Sequence, residues 1–449
     1  MDETDVAEQA ATTSRDWDGL PGDLLTCIGG LLGLPARLCF RGVCRSWSAA
    51  LALPAMPSPW LVIPDGWNIC DRDRFSFHSL PTRSPMRWTL QGERCIGSSG
   101  GWLALVDAGL SITLLNPLTD AQQAVRLPPL GPLRRDGIFA YTPMSPDGTL
   151  QLRTQKDKIL FSRAQNCLVQ RVAFAPNPTA QDYAVAVLCR DDQGLAFTTA
   201  SSNGWQWLDW PVAAGRAAPQ DGDEEEVEVD AVYVNCDLDL VYHGGKFYYM
   251  TLCGQIWALD PAAPSPVAPV PFAKWRPPGP DHYHYGKHLV FTDDGALHVV
   301  WSDVPGLSDA TCARPMRMHV KRYEPSRRAR RWRKVRHLGG SAFLIGNRNH
   351  SVAVPVPASS PSTWLRPNCV YFTDLAPGSD NFKDRDEYVD PGEIWEFDVE
   401  TGSFRACDLG GLDWFDWHKA IWFTPRGGGN PITDRIVSFA QLFPHLICK

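Results

Sequence analysis

His282, His284 and His288 fall close together, and imidazoles two positions apart on an extended segment share one side, which is how a metal site can begin. No cysteine or carboxylate stands at ligand spacing to complete the four donors that structural zinc takes. They are expected to be surface or packing histidines, and no metal or other cofactor is expected. The acidic pairs offer no acid–base dyad. Asp147-Gly148, Asp191-Asp192-Gln193-Gly194 and Asp293-Asp294-Gly295 each sit between strand-like runs, where Asp and Gly supply the positive φ and side-chain bonding of hairpin turns. Gly97-Ser98-Ser99-Gly100-Gly101 and Gly427-Gly428-Gly429 lack the Lys-Ser/Thr ending of a phosphate loop and no helical pattern follows them, so they too read as turns. No serine stands in a Gly-x-Ser-x-Gly elbow. No catalytic residue is expected.

Two charge runs remain. In Asp221-Gly222-Asp223-Glu224-Glu225-Glu226 like charges repel, which favours a solvated insertion. The basic run Arg327-Arg328-Ala329-Arg330-Arg331-Trp332-Arg333-Lys334-Val335-Arg336 could serve nuclear import or a nucleic-acid patch. Its alternation through Trp332 and Val335 equally suits a strand with basic residues facing water, the reading preferred here. The formal charge of −7 gives no global pull toward nucleic acid or anionic membrane, and no nucleic-acid partner is expected. Thirteen cysteines, an odd number scattered from Cys27 to Cys448, point to reduced thiols in cytosol or nucleus. The acidic start, MDETDVAEQAATTSRD, lacks the positive charge and apolar core of a signal peptide. The sequon at Asn349-His350-Ser351 is therefore expected to go unused. No apolar run approaches the roughly 20 residues needed to cross a bilayer, so no membrane association is expected.

The elements carrying these residues are of two kinds. From Leu20 to Leu51 the apolar residues follow helical spacing: Leu24, Leu25, Ile28, Leu31 and Leu32 on one face, Val43, Trp47 and Leu51 on another. Pro21 suits the first turn of the opening helix, and Gly33 and Pro35 force a new start, which predicts two or three short helices. The proline-rich Ala52–Pro59 reads as a linker. Beyond it, short apolar runs such as Trp102–Val106, Lys246–Leu252 and Leu297–Trp301 alternate with Gly, Pro, Asp and Asn, as strands and turns do.

A weak internal repeat runs through this β region, in which an alternating strand ends in an acidic or amide residue and a turn. It is legible in ITLLNPLTD from Ile112, IWALDP from Ile256, MHVKRYEPS from Met318 and IWEFDVETG from Ile394. A degenerate copy is expected around Ser201-Ser202-Asn203-Gly204-Trp205. Asp260, Glu324 and Asp398 are 64 and 74 residues apart. A unit of about 65–75 residues divides the remaining chain into about six blades of a β-propeller, with seven also allowed by the arithmetic. Eighteen tryptophans fit that architecture, because wedge-shaped sheets packed face to face need large aromatics between them. Ala420–Pro425 is expected to close the ring by joining the first or last blade, which brings it close to Trp60–Ile63 in the same or an adjacent blade.

Trp17-Asp18-Gly19-Leu20-Pro21-Gly22-Asp23-Leu24-Leu25, followed by Val43-Cys44-Arg45-Ser46-Trp47, resembles an F-box, the helical motif that binds the Skp-type adaptor of cullin ubiquitin ligases. Trp102-Leu103-Ala104-Leu105, Leu338-Gly339-Gly340-Ser341-Ala342-Phe343-Leu344 and Pro367-Asn368-Cys369-Val370-Tyr371-Phe372-Thr373-Asp374 are similar to the plant family of F-box proteins with a poorly characterised propeller domain. The resemblance implies a small all-α F-box at 15–54 after a disordered 1–14, a linker at 55–59 and an all-β propeller at 60–449. It also implies a substrate-recognition subunit of a Skp-cullin-F-box ubiquitin ligase, with the F-box on the adaptor and the propeller on a protein target. Leu20, Pro21, Leu24, Leu25 and Ile28 are the expected adaptor contacts, while Val43 and Trp47 are expected inside the F-box. A small helical unit cannot bury all its apolar residues alone, which agrees with docking on a partner. Three alternatives stay open: leucines that only cap the propeller, a propeller enzyme of hydrolase or lyase type, and an interaction protein that recruits no ligase.

Overall fold

The computed structural model describes residues 19–32, 40, 43–50, 59–64, 74–79, 84–89, 94–107, 110–117, 124–130, 140–141, 152–153, 169–189, 194–208, 239–251, 254–264, 267–275, 284–303, 317–325, 330–346, 351–356, 364–373, 394–407 and 420–424. Outside them lie the expected disordered start, most of the linker, Asp147-Gly148, the acidic run from Asp221, His282 and the Gly427 triplet. Chain contacts separate a helical unit, described over 19–50, from a β unit, described over 59–424.

In the helical unit, α1 spans Gly22–Leu31 and α2 spans Arg45–Ala50. Pro21 is the cap of α1 rather than part of its first turn. Its backbone is extended (φ −55°, ψ 137°), and its carbonyl accepts from the Leu25 N–H at 3.1 Å. Leu25 and Gly29 are buried. Leu25 and Phe40 form a small core closed by Leu20, Leu32, Trp47 and Ala50, with the Phe40 and Trp47 rings 4.4 Å apart. The Thr26 hydroxyl lies 2.8 Å from the Gly22 carbonyl and 3.0 Å from that of Ala50, tying α2 to α1.

Two side chains sit differently from expectation. Leu25 is 1% exposed, so it lies inside the unit and not on the outward face expected of it, whereas Val43 is 54% exposed and stands outside the core assigned to it. Val43 sits in a bend ahead of α2, where helical spacing does not govern it, and Leu25 shows what spacing leaves open even inside a helix. Helical spacing says which residues share a stripe, and only the packing of a second element says which stripe is covered.

The β unit is a ring of six blades. Counted from the ring's centre, blade 1 orders Ile421–Phe423, Trp60–Pro64, Arg74–Ser79 and Ser84–Thr89. Blade 2 comprises Arg94–Ser99, Trp102–Val106, Ile112–Leu115 and Val125–Arg126, and blade 3 comprises Val169–Phe174, Ala184–Cys189, Gly194–Thr199 and Gln206–Leu208. Asp239–His243, Lys246–Met250, Gln255–Leu259 and Val270–Lys274 make blade 4. Blade 5 is built from His284–Phe291, Leu297–Asp303, Arg317–Pro325 and Arg330–Lys334. Blade 6 has five strands in the order Val352–Pro355, Ser341–Ile345, Cys369–Phe372, Ile394–Asp398 and Phe404–Cys407. A separate pair joins Ala140–Tyr141 to Leu152–Arg153.

Ring closure comes from pairing across the whole sequence, Trp60 with Phe423, Leu61 with Trp422 and Val62 with Ile421. Hydrophobic clusters fill the seams between blades 2 and 3, 3 and 4, 4 and 5, 5 and 6, and 6 and 1. At the remaining seam the Ser98 hydroxyl donates to the Trp422 carbonyl. No tryptophan whose burial is described is exposed, and several spend their indole N–H across a seam: Trp205 on the Pro128 carbonyl, Trp332 on that of Lys274 and Trp422 on that of Ile345, at 2.8–2.9 Å. A large apolar ring thereby fills the widening gap while its one donor stays satisfied.

The sequence repeat marks an outer strand and its turn. Ile112–Leu115, Gln255–Leu259 and Arg317–Pro325 are third strands, and Ile394–Asp398 is its counterpart in blade 6. The terminal carboxylate folds onto the turn: Asp260 Oδ1 accepts from the Ala262 N–H, and Asp398 Oδ1 accepts from those of Glu400 and Thr401. The degenerate copy holds the same place in blade 3, with the Ser202 N–H donating to the Thr199 carbonyl.

Near the ring's axis Arg171 of blade 3 meets Asp239 of blade 4 at 2.9 Å, both buried. Asp239 also accepts from the N–H groups of Leu240 and, in blade 5, Leu289, and Arg171 donates to the Gly346 carbonyl beyond blade 6's Ile345. Burial raises the Asp239 carboxyl, an effect opposed by Arg171 and the two N–H donors. One ion pair thus connects four blades. Losing either partner would strand the other charge, at about 3–5 kcal/mol.

Candidate functional site

α1 is apolar on two sides. The stripe Leu25, Gly29 and Leu32 turns inward, and the stripe Leu24, Ile28 and Leu31 turns out, 52%, 42% and 89% exposed. Both follow i, i+4, i+7 spacing, so one helix carries two seams and its own unit covers only one. Among the described residues, four of the five large exposed apolar side chains, Leu24, Ile28, Leu31 and Val43, belong to this unit, the fifth being Val270. Pro21 is exposed and Leu20 half-buried beside the outward stripe's start. Of the expected adaptor contacts, Leu20, Pro21, Leu24 and Ile28 therefore present surface, and Leu25 supports them from beneath. Trp47, partly buried, packs on Phe40. Leu31 belongs to the outward stripe although it was not singled out as a contact, and its heptad spacing from Leu24 was the available signal. Phe40 went unnoticed because no apolar periodicity surrounds it.

A second surface lies on the ring. Between the outer strands of blades 5 and 6 a groove of about 420 Å³ is floored by Met318, Val320, Phe397 and Phe404 and edged by Arg317, Lys334 and Arg336. The expected basic strand forms its wall: Arg330–Lys334 pairs antiparallel with Arg317–Pro325, and Val335 bonds on to Val320. Trp332 and Val335 turn partly inward while Arg331, Arg333, Lys334 and Arg336 face solvent.

Among the described residues no three His, Cys, Asp or Glu side chains gather as a metal site would need. His288 is buried on the innermost strand of blade 5, where burial and the nearby Arg171 hold its pKa well below 6.5. The Asp293-Asp294-Gly295 segment is a turn, with Gly295 at φ +77° and Asp294 accepting from the Thr292 hydroxyl and the Ala296 N–H. Gly100 and Gly101, at φ +55° and +87°, turn the chain between the first two strands of blade 2. Among the described residues no helix is long and apolar enough to cross a membrane.

F-box protein KIB4 of Arabidopsis thaliana is 21% identical over 66% of this chain and 64% of its own length, so the chain spans a little under two thirds of that relative. A second Arabidopsis thaliana protein, At2g33190, likewise named for an F-box, is 24% identical over 77% of this chain and 82% of its own. Among solved structures, the N-terminal domain of Nup159 aligns over 78% of this chain and 84% of that one with 7% identity and a TM-score of 0.28, too low a likeness to carry an argument. The KIB1-4 β-propeller model matches residues 69–398, which takes in material from all six blades. The chain belongs to the KIB1-4 β-propeller family, among plant F-box and propeller proteins.

Proposed function

We propose that this chain is the substrate-recognition subunit of a Skp-cullin-F-box ubiquitin ligase. Residues 15–54 act as the F-box, residues 60–449 act as the propeller that holds a protein target, and the chain itself makes and breaks no bonds. The outward stripe of α1 carries the reading. An apolar seam left uncovered on a short helix is costly in water and gains by docking, at about 1.5–3 kcal/mol for each leucine or isoleucine fully buried. Leu20, Pro21, Leu24, Ile28 and Leu31 make the contact with a Skp-type adaptor, and through it the cullin is reached. The names of the Arabidopsis relatives support the same reading. Binding would then raise the effective concentration of target lysines beside the ubiquitin-charged enzyme. The work takes place in cytosol or nucleus, where both partners are available.

The test is a titration of the full chain with a purified Skp-type adaptor. The wild type should bind at roughly micromolar concentration or tighter, and Leu24→Glu with Ile28→Glu should abolish binding while leaving the propeller's melting temperature unchanged, since both side chains point to solvent. Equal binding by the double variant, or none by the wild type, would refute the proposal.

A further inference from the structure

Resting on that receptor reading, we infer that the groove between blades 5 and 6 takes the target, and that its occupant is an acidic protein segment anchored by an apolar side chain. The floor is the margin of a real core: Met318, Val320 and Phe397 are buried in the cluster that packs blade 5 on blade 6, and the partly buried Phe404 packs against it. An opening of about 420 Å³ over it has room for an anchoring side chain.

The rim is cationic beyond what the fold requires. Charges on an outer strand commonly serve to prevent edge-to-edge pairing, and Arg331 and Arg333 fit that role, lying 3.9 and 2.7 Å from Glu324 on the adjacent strand. Arg317, Lys334 and Arg336 are different, being exposed, lining the groove and in no ion pair with a described residue. Glu400 is the one carboxylate among the lining residues, and its Oε2 lies 3.9 Å from His337 Nδ1. The groove therefore offers three cations without a carboxylate partner among the described residues, around an apolar floor, inside a chain whose net charge is −7. A polyanion with a continuous phosphate backbone would need a longer row of cations and stacking platforms. An acidic peptide with an apolar anchor matches both the rim and the floor.

The topology also accounts for the groove. Cys369–Phe372 runs parallel to Ser341–Ile345, the one parallel pairing among the described strands, and this reverses the outer strands of blade 6 relative to the alternation kept elsewhere. The reversal brings the turn at Val399, Glu400, Thr401 and Gly402 to the rim that carries Arg317 and Arg336. The strict repeat of the other blades is broken beside this basic rim.

The full chain should bind a fluorescein-labelled short peptide of alternating glutamate and valine, read by anisotropy, with affinity falling as salt rises. Arg317→Glu with Arg336→Glu should weaken that binding by about tenfold or more, whereas Arg126→Glu with Lys246→Glu, a charge-matched pair on blades 2 and 4, should leave it unchanged. A glutamate–serine peptide should bind more weakly than glutamate–valine, because the floor would be left wet. No saturable binding, equal binding by the groove variant, or tighter binding of an oligothymidylate of the same net charge would overturn the assignment. Adaptor binding is measured on the same samples. Peptide failure with adaptor binding intact removes the groove alone, and absent adaptor binding removes the receptor reading alone.

Discussion

At the scale of the residue, the propeller hides ionisable groups that work against it in acid. Burial, with help from Arg322, holds His298 down to about 4, and burial with Arg171 holds His288 well below its ordinary value. His298 packs on Phe343 of the next blade at 5.2 Å, with Nδ1 3.2 Å from the Ala296 carbonyl. Both rings are neutral in the fold, and in the unfolded chain they take up protons as pH drops below about 6.5. The unfolded state then binds more protons, so stability is greatest above that value and declines as pH falls toward the folded pKa, by about 1.4 kcal/mol per pH unit for each ring. Melting temperature should therefore drop between about pH 6.5 and 5, before most carboxylates titrate, and His298→Phe should flatten part of the slope. A flat wild-type profile across that window would contradict the assignment.

At the scale of the element, two short pieces show how little sequence room the fold leaves. Gly254, between the second and third strands of blade 4, has φ +73°, and a Cβ there would stand 2.1 Å from the Trp275 carbonyl oxygen. Its own carbonyl accepts from the Trp275 N–H at 2.8 Å, which is why the approach is so close. Trp275 in turn packs 4.9 Å from Trp301 across the blade 4–5 seam. Gly254→Ala should cost about 1–3 kcal/mol in backbone conformation and more from the displaced tryptophan, seen as a lower urea midpoint. Gly244→Ala, at φ +55° with nothing within 4 Å of the added atom, should cost only the backbone part, and equal losses at the two positions would argue against the clash. The second piece is α1, which carries two seams at once, with the inward one covered by Phe40 and the outward one exposed.

At the scale of the whole molecule, ring closure decides how the protein fails. Ile421–Phe423 supplies the innermost strand of blade 1, and Trp422 packs among Leu61, Leu344 and Tyr371 on the blade 6 side. Ending the chain after Asp413 removes that strand, leaves Trp60–Pro64 as an open edge and uncovers the cluster. The product should be insoluble or quickly degraded by trypsin under conditions that spare the full chain. A linear stack of repeats would behave otherwise, since each unit meets only its neighbours and the rest survives the loss of an end. A truncated chain as soluble and as heat-resistant as the whole would refute cooperative closure.

The sequence by itself determined whatever rests on local periodicity. Helical spacing from Leu20 onward, the strand-and-turn repeat ending at Asp260, Glu324 and Asp398, the turn chemistry of Gly100-Gly101 and Asp293-Asp294-Gly295, and the closeness of Ala420–Thr424 to Trp60–Ile63 were all legible. These follow from residue types a few positions apart, or from the need of a radial repeat to close. Tertiary structure alone decided what depends on contacts between distant segments. Leu24 and Leu25 are chemically identical neighbours, and only the position of Phe40 buries one and exposes the other. Arg171 and Asp239 are 68 residues apart with no shared motif. The groove at Arg317 and Arg336 exists because one parallel strand pairing turns blade 6 around, and strand direction leaves no mark in an alternating apolar pattern, which reads the same from either end.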